Sequence, residues 1–240
     1  MGTFLHHISP VLSALIFILS AASCVGSKNA EGGFSAKELE LINDADTIMR
    51  VLTIENTADE AVLRTKSSDL AAEALLSDEY GQLAELMVAT VTHPSQDGVG
   101  IAGPQVGLNR RVVAVQRFDK EPVERNGRID HPFEVYPNVR IVWASDSLSA
   151  GPEGCLSVPD RRGEVQRSRK IVIEYVDMEA LKGRGAKNSC QDIGRGDANE
   201  DELPDEAELP MIRDTVSGFT AVIFQHEIDH LDGVLYIDRL

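Results

Sequence analysis

Apolar residues recur along this chain with two periods, and the switching between them predicts an α+β fold. Leu76, Tyr80, Leu83, Met87 and Val91 fall three or four apart ahead of Pro94, the stripe of an amphipathic helix that stops before the proline. Upstream, Ser35 and Glu38 have the spacing of a capping box that opens a short helix. Val112–Val115, Val139–Trp143 and Ile171–Val176 are short runs rich in β-branched residues between turn formers, and they read as strands. Near the end, Phe219, Val222, Ile223, His226 and His230 again fall three and four apart, so two histidines continue what reads as a core-facing apolar stripe. Ser217 fits the N-cap of that helix and Gly233 its C′ stop. There is no internal repeat, and roughly 200 residues after the first segment are enough for one sizeable core.

The two ends of this pattern carry different chemistry. Val11–Ala22 is an apolar run of twelve residues broken by serines, too short for a comfortable membrane span and suited to a signal-peptide core. Ala21-Ala22-Ser23-Cys24 resembles a lipoprotein cleavage site ending on its lipid-bearing cysteine, although the first ten residues hold no Lys or Arg. Between Gly196 and Ile212 there are seven Asp or Glu and no Lys or Arg, which reads as a solvated, mobile acidic loop within the segment 181–212, with Cys190 a free thiol. The whole chain carries −16. That charge argues against direct nucleic-acid binding, which needs a basic face.

Residues 225–230 read Gln225-His226-Glu227-Ile228-Asp229-His230. On a helix, histidines four apart share a face and can hold one metal ion with the glutamate beside it, the layout of a hydrolase that activates water. Two histidines leave a catalytic ion one protein ligand short. His, Asp, Glu and Cys remain open for the third place. Cys155 stands out because Glu153-Gly154-Cys155-Leu156-Ser157 is a glycine-containing turn that can present a thiolate and a backbone N–H together.

Three ordered segments then resemble the motifs of the peptide deformylase family: Gly98-Val99-Gly100-Ile101-Ala102-Gly103-Pro104-Gln105, Glu153-Gly154-Cys155-Leu156-Ser157, and Gln225 through Gly233. The resemblance runs from about Met49 to Arg239 and is interrupted near 181–212. It implies a peptide deformylase-like fold, with strands and sheets around a central metal-binding His-Glu-x-x-His helix. The chain divides into a leader (1–24), a linker with an N-terminal helix (25–48) and a catalytic domain (49–240) that holds the acidic insertion.

The resemblance implies Cys155, His226 and His230 as metal ligands and Glu227 as the catalytic general base and acid. It places the oxyanion donors on the Gln105 side-chain amide and the Leu156 backbone N–H. Val99, Gly100, Phe219, Val222 and Arg162 are its substrate-binding positions. The implied cofactor is one divalent ion, Fe(2+) by resemblance, with Zn(2+), Ni(2+) or Co(2+) able to occupy the same site. The implied substrates are formyl-methionyl peptides or nascent proteins. Where the family usually has Ala-Ala, this chain has Ala102-Gly103, and the glycine is expected to loosen the backbone ahead of Gln105.

The leader points to an exported form, anchored to a membrane through a lipidated Cys24, with a cytoplasmic or organellar location as the alternative. An oxidising compartment would favour zinc or nickel over iron and formylated peptides outside the cytoplasm as substrates. The tail after Gly233 is short, so the C-terminal helix with which many bacterial members dock on the ribosome is expected to be absent or replaced. Two other functional classes fit parts of the sequence: a general metallopeptidase, through His-Glu-x-x-His alone, and a deformylase-derived binding protein.

Overall fold

The computed structural model describes residues 32–125, 127–191 and 208–240. The leader with Cys24, and most of the acidic stretch, lie outside these residues. Among the described residues, no helix is long and apolar enough to cross a membrane.

The described chain opens with helices α1 (Ala36–Asn43), α2 (Thr57–Leu63), α3 (Ala72–Leu75) and α4 (Asp78–Thr92). The capping box at α1 forms as its sequence requires. Ser35 Oγ accepts the Glu38 N–H, and the Glu38 carboxylate accepts the Ser35 N–H at 2.7 Å. Arg110 grips the same carboxylate at 2.7 and 2.9 Å, which ties α1 to the body of the protein. In α4, Tyr80, Leu83, Met87 and Val91 are buried as the stripe predicts. Leu76 is the exception. It is 42% exposed and is the C-cap that follows α3, because its neighbour Ser77 is the N-cap of α4 and accepts the Tyr80 N–H on its hydroxyl.

The strands that follow are β1 (Gly100–Ala102), β2 (Val112–Gln116), β3 (Val123–Arg125), β4 (Arg128–Asp130), β5 (Phe133–Pro137), β6 (Arg140–Ala144), β7 (Leu148–Cys155), β8 (Val158–Ser168), β9 (Lys170–Val176) and β10 (Met211–Ser217). They form antiparallel sheets in the orders β1-β2-β5 and β10-β9-β6 and two hairpins, β3-β4 and β7-β8. The three strand runs read from sequence appear as β2, β6 and β9. The longest hairpin, β7-β8, is invisible to that reading because its segments are rich in glycine, serine and charge rather than in β-branched residues.

Helix α5 (Met178–Gln191) precedes β10, and α6 (Gly218–Leu231) follows it directly. The two ends of the segment 181–212, expected to be a solvated loop, are structured. Leu181 is buried in the core, the helix continues through Gln191, and Ile212 pairs with Tyr175 in the sheet. The Cys190 side chain lies outside what is described.

Helix α6 packs against β1, β2, β8 and β10. Ala221, Phe224, Ile228 and Leu231 bury its inner face against Val113, Val115, Ile171, Ile173 and Val216. Full burial of Phe224 alone contributes roughly 1.5–3 kcal/mol. The stripe expected from sequence is thus displaced: Ile223 is buried, whereas Phe219 is 56% exposed and borders a cleft. The anchored inner face fixes the rotation of the helix, which in turn aims the histidines. Ser217 occupies the N-cap position without a side-chain cap bond, and Gly233 ends the helix at φ +74° as C′.

Candidate active site

Four side chains meet where α6 passes the β7-β8 turn. Cys155 Sγ lies 3.2 Å from His230 Nε2, and ligand atoms of Cys155, His226 and His230 all lie within 4.8 Å of one another. Close imidazole and thiol groups of this kind fit a borderline divalent ion. Glu227 projects from the same helix face and is 4% exposed, and its Oε2 has no hydrogen-bond partner among the described residues. Burial pushes its carboxyl up to about 7. Gly100 makes room for this carboxylate, since a Cβ there would overlap Glu227 Oε1.

The site is held from behind by buried charge. Glu153 Oε2 lies 2.8 Å from His226 Nδ1, which turns Nε2 toward the cleft. Arg167 donates to both Glu153 oxygens at 2.8 and 2.9 Å and to Asp229 Oδ2 at 2.6 Å, and Arg239 donates to Asp229 from the other side. Burial acts to raise the Glu153 carboxyl, but the Arg167 and His226 hydrogen bonds outweigh it and hold it down to about 2. For His226, burial opposes the charged form, while the Cys155 sulfur and the Glu153 carboxylate push it up to about 10. Burial holds His230 well below the usual imidazole range.

Gln105 comes from a 3-10 turn (Gly103–Val106) and is 2% exposed. Its Oε1 accepts the Ala102 N–H at 2.8 Å, while its Nε2 donates to Ser157 Oγ at 3.2 Å and points at Cys155 Sγ at 3.6 Å. Gly103 meets a packing need. A Cβ at that position would sit 2.6 Å from the Arg110 carbonyl oxygen and 2.8 Å from that of Leu108, so close backbone packing takes the place of a side chain.

A cleft of about 840 Å³ opens over these groups. Val99, Gly100, Gln105, Cys155, Leu156, Arg162, Phe219, Val222, His226 and Glu227 all line it, so the fold brings together the catalytic, metal-binding and substrate-binding positions expected from sequence, with His230 buried beside Cys155. Sequence reasoning misses the support: it finds Glu153 only as part of a turn, and it does not find Arg167 at all. The position of Glu153 two residues before Cys155 is the available signal. Arg167 offers none, because its partners lie 14 and 62 positions away.

Comparison with known proteins identifies the relatives of this chain. The family model for polypeptide deformylase matches residues 51–184 and 205–240. A peptide deformylase of Leptospira biflexa is 31% identical over 194 residues, covering 80% of this chain and 88% of its own length. One from a Caulobacter species is 34% identical over 195 residues with the same coverage. The Met-Ala-Ser-bound crystal structure of a class I type b peptide deformylase from Acinetobacter baumannii is similar at TM-score 0.59 and 27% identity, over 82% of this chain and 100% of that one.

Proposed function

Because this chain belongs to the polypeptide deformylase family, and is by that membership a metal-dependent deformylase, we propose that it removes the formyl group from N-terminal formyl-methionine by water attack assisted by Glu227. The observation that carries the mechanism is the buried Glu227 carboxylate, with one oxygen unpartnered among the described residues, beside a thiol and two imidazoles.

Cys155, His226 and His230 would hold the divalent ion, with Fe(2+) the first expectation for its identity. When bound, that ion supplies Lewis-acid polarisation and makes water acidic enough to deprotonate near neutral pH. Glu227 takes a proton from the attacking water as its oxygen bonds to the formyl carbon. The negative charge on the former formyl oxygen is met by the Gln105 side-chain N–H and the Leu156 backbone N–H; losing one such donor typically costs about 3–4 kcal/mol of barrier. Glu227 then gives its proton to the departing nitrogen as the C–N bond breaks, releasing formate and a free amine. Val99, Phe219 and Val222 wall the space for the methionine side chain, and Arg162 stands at the mouth for the peptide beyond it. Glu153 keeps His226 in its ligating orientation throughout.

The test is hydrolysis of formyl-Met-Ala-Ser by protein loaded anaerobically with iron(II), and separately with zinc or nickel. Turnover that a chelator abolishes is the expected result. Glu227→Ala should keep metal and lose turnover, whereas Cys155→Ala and His226→Ala should lose both. Normal turnover by Glu227→Ala would overturn the assigned role.

A further inference from the structure

A second cavity of about 640 Å³ adjoins the catalytic cleft, and the two share Pro152, Glu153, Phe219 and Val222 as walls. Side chains alternate along a strand, so Ser149, Gly151 and Glu153 occupy one face of β7, the face from which Glu153 reaches His226 on α6. At the middle position there is no side chain, and a Cβ built on Gly151 would meet nothing within 4 Å. The space beside Gly151 is open, and the cavity is bordered by Ala150, Val165 and Gly218 and by the polar Arg167, Ser168 and Arg169 in addition to the shared walls. Phe219, one of those shared walls, is more than half exposed.

We propose that the pocket for the substrate's first side chain continues past Val222 into this second cavity. The enzyme therefore also deformylates peptides whose first residue is larger than methionine, with formyl-tryptophan as the extreme case. This rests on the deformylase reading of the cleft and sets its substrate range. The reaction is unchanged: water adds to the formyl carbon, the C–N bond breaks, and formate and the peptide amine leave. Side-chain pockets discriminate by shape, and where the walls that meet the substrate are apolar, as Val222 and Phe219 are here, a single methylene is typically worth about 10–200-fold in kcat/KM. A pocket closed behind Val222 would reject an indole, whereas one open at Gly151 admits it.

The experiment measures kcat/KM of the full chain on formyl-Met-Ala-Ser, formyl-Phe-Ala-Ser and formyl-Trp-Ala-Ser, for wild type, Gly151→Leu and Ser149→Leu. The two variants fill the cavity from different positions on the same strand face, so one misfolded protein does not decide the outcome. Wild type is expected to use formyl-Trp within about tenfold of formyl-Met, and each leucine should lower the formyl-Trp to formyl-Met ratio by at least about tenfold. A wild-type ratio below one tenth (on the order set by such discrimination), or variants that lower both substrates in parallel, would overturn the proposal while leaving the deformylase reading intact. Failure on formyl-Met-Ala-Ser itself would instead remove that reading and this proposal with it.

Discussion

Replacing Arg167 by methionine removes a guanidinium that is 4% exposed and bonded to two buried carboxylates. Breaking a buried ion pair from one side typically costs about 3–5 kcal/mol, because the remaining charge is left without compensation. Here each carboxylate keeps one other partner: Glu153 keeps His226 at 2.8 Å and Asp229 keeps Arg239. The loss should therefore fall near the lower end, about 3 kcal/mol. For a domain of this size that corresponds to a Tm lower by roughly 6–12 °C. The chemical consequence is separate. Glu153, no longer clamped, orients His226 less well, and metal affinity should fall about 10–100-fold. Urea unfolding of metal-free protein reads the first effect, and chelator competition reads the second. The double variant Arg167→Met/Glu153→Gln provides the control, since removing the stranded charge should recover about 1–3 kcal/mol relative to additivity. A loss below about 1 kcal/mol in the single variant, with an additive double variant and unchanged metal affinity, would refute the reasoning.

Other outcomes follow from individual contacts. Glu227→Gln keeps the shape of the buried side chain but removes the proton acceptor, so kcat should fall by at least about 100-fold with metal content unchanged by elemental analysis. Gln105→Ala removes a donor whose charge partner develops only during reaction; kcat should drop about 10²–10³-fold with little change in KM, measured by steady-state kinetics on formyl-Met-Ala-Ser. Glu38 is pulled below its ordinary 4.5: burial acts to raise it, but hydrogen bonds from Arg110 and Ser35 prevail. A carboxyl lowered in the folded state contributes stability that is complete above its unfolded value and lost as pH falls through the folded one. The stability gap between wild type and Arg110→Ala should accordingly be full at pH 7 and shrink below about pH 4 in urea titrations; a gap independent of pH would refute the pairing.

Much of the local structure is legible because it depends on neighbours in the chain. The Ser35 and Glu38 box, the stripe Tyr80, Leu83, Met87 and Val91, the β-branched runs in β2, β6 and β9, and the Gly233 stop all express rules that act within a few residues. The chemistry is legible for a similar reason. His226 and His230 lie four residues apart, and that spacing alone sets them on one face with Glu227 projecting beside them. Leu76 shows the limit of that rule, since a competing cap at Ser77 ends the stripe locally.

What the sequence determined by itself was the spacing of His226, Glu227 and His230 and the helix that carries these three candidate groups. The tertiary structure decided which way that helix faces, because burial of Phe224, Ile228 and Leu231 between two sheets fixes its rotation and leaves Phe219 at the cleft rather than in the core. It also decided how the site is held. Gly100 against Glu227, Gly103 against the carbonyls of Leu108 and Arg110, and Arg167 between Glu153 and Asp229 are close approaches that no motif spacing encodes. Such contacts depend on where strands, turns and helix end up in space, and no periodicity along the chain reports that.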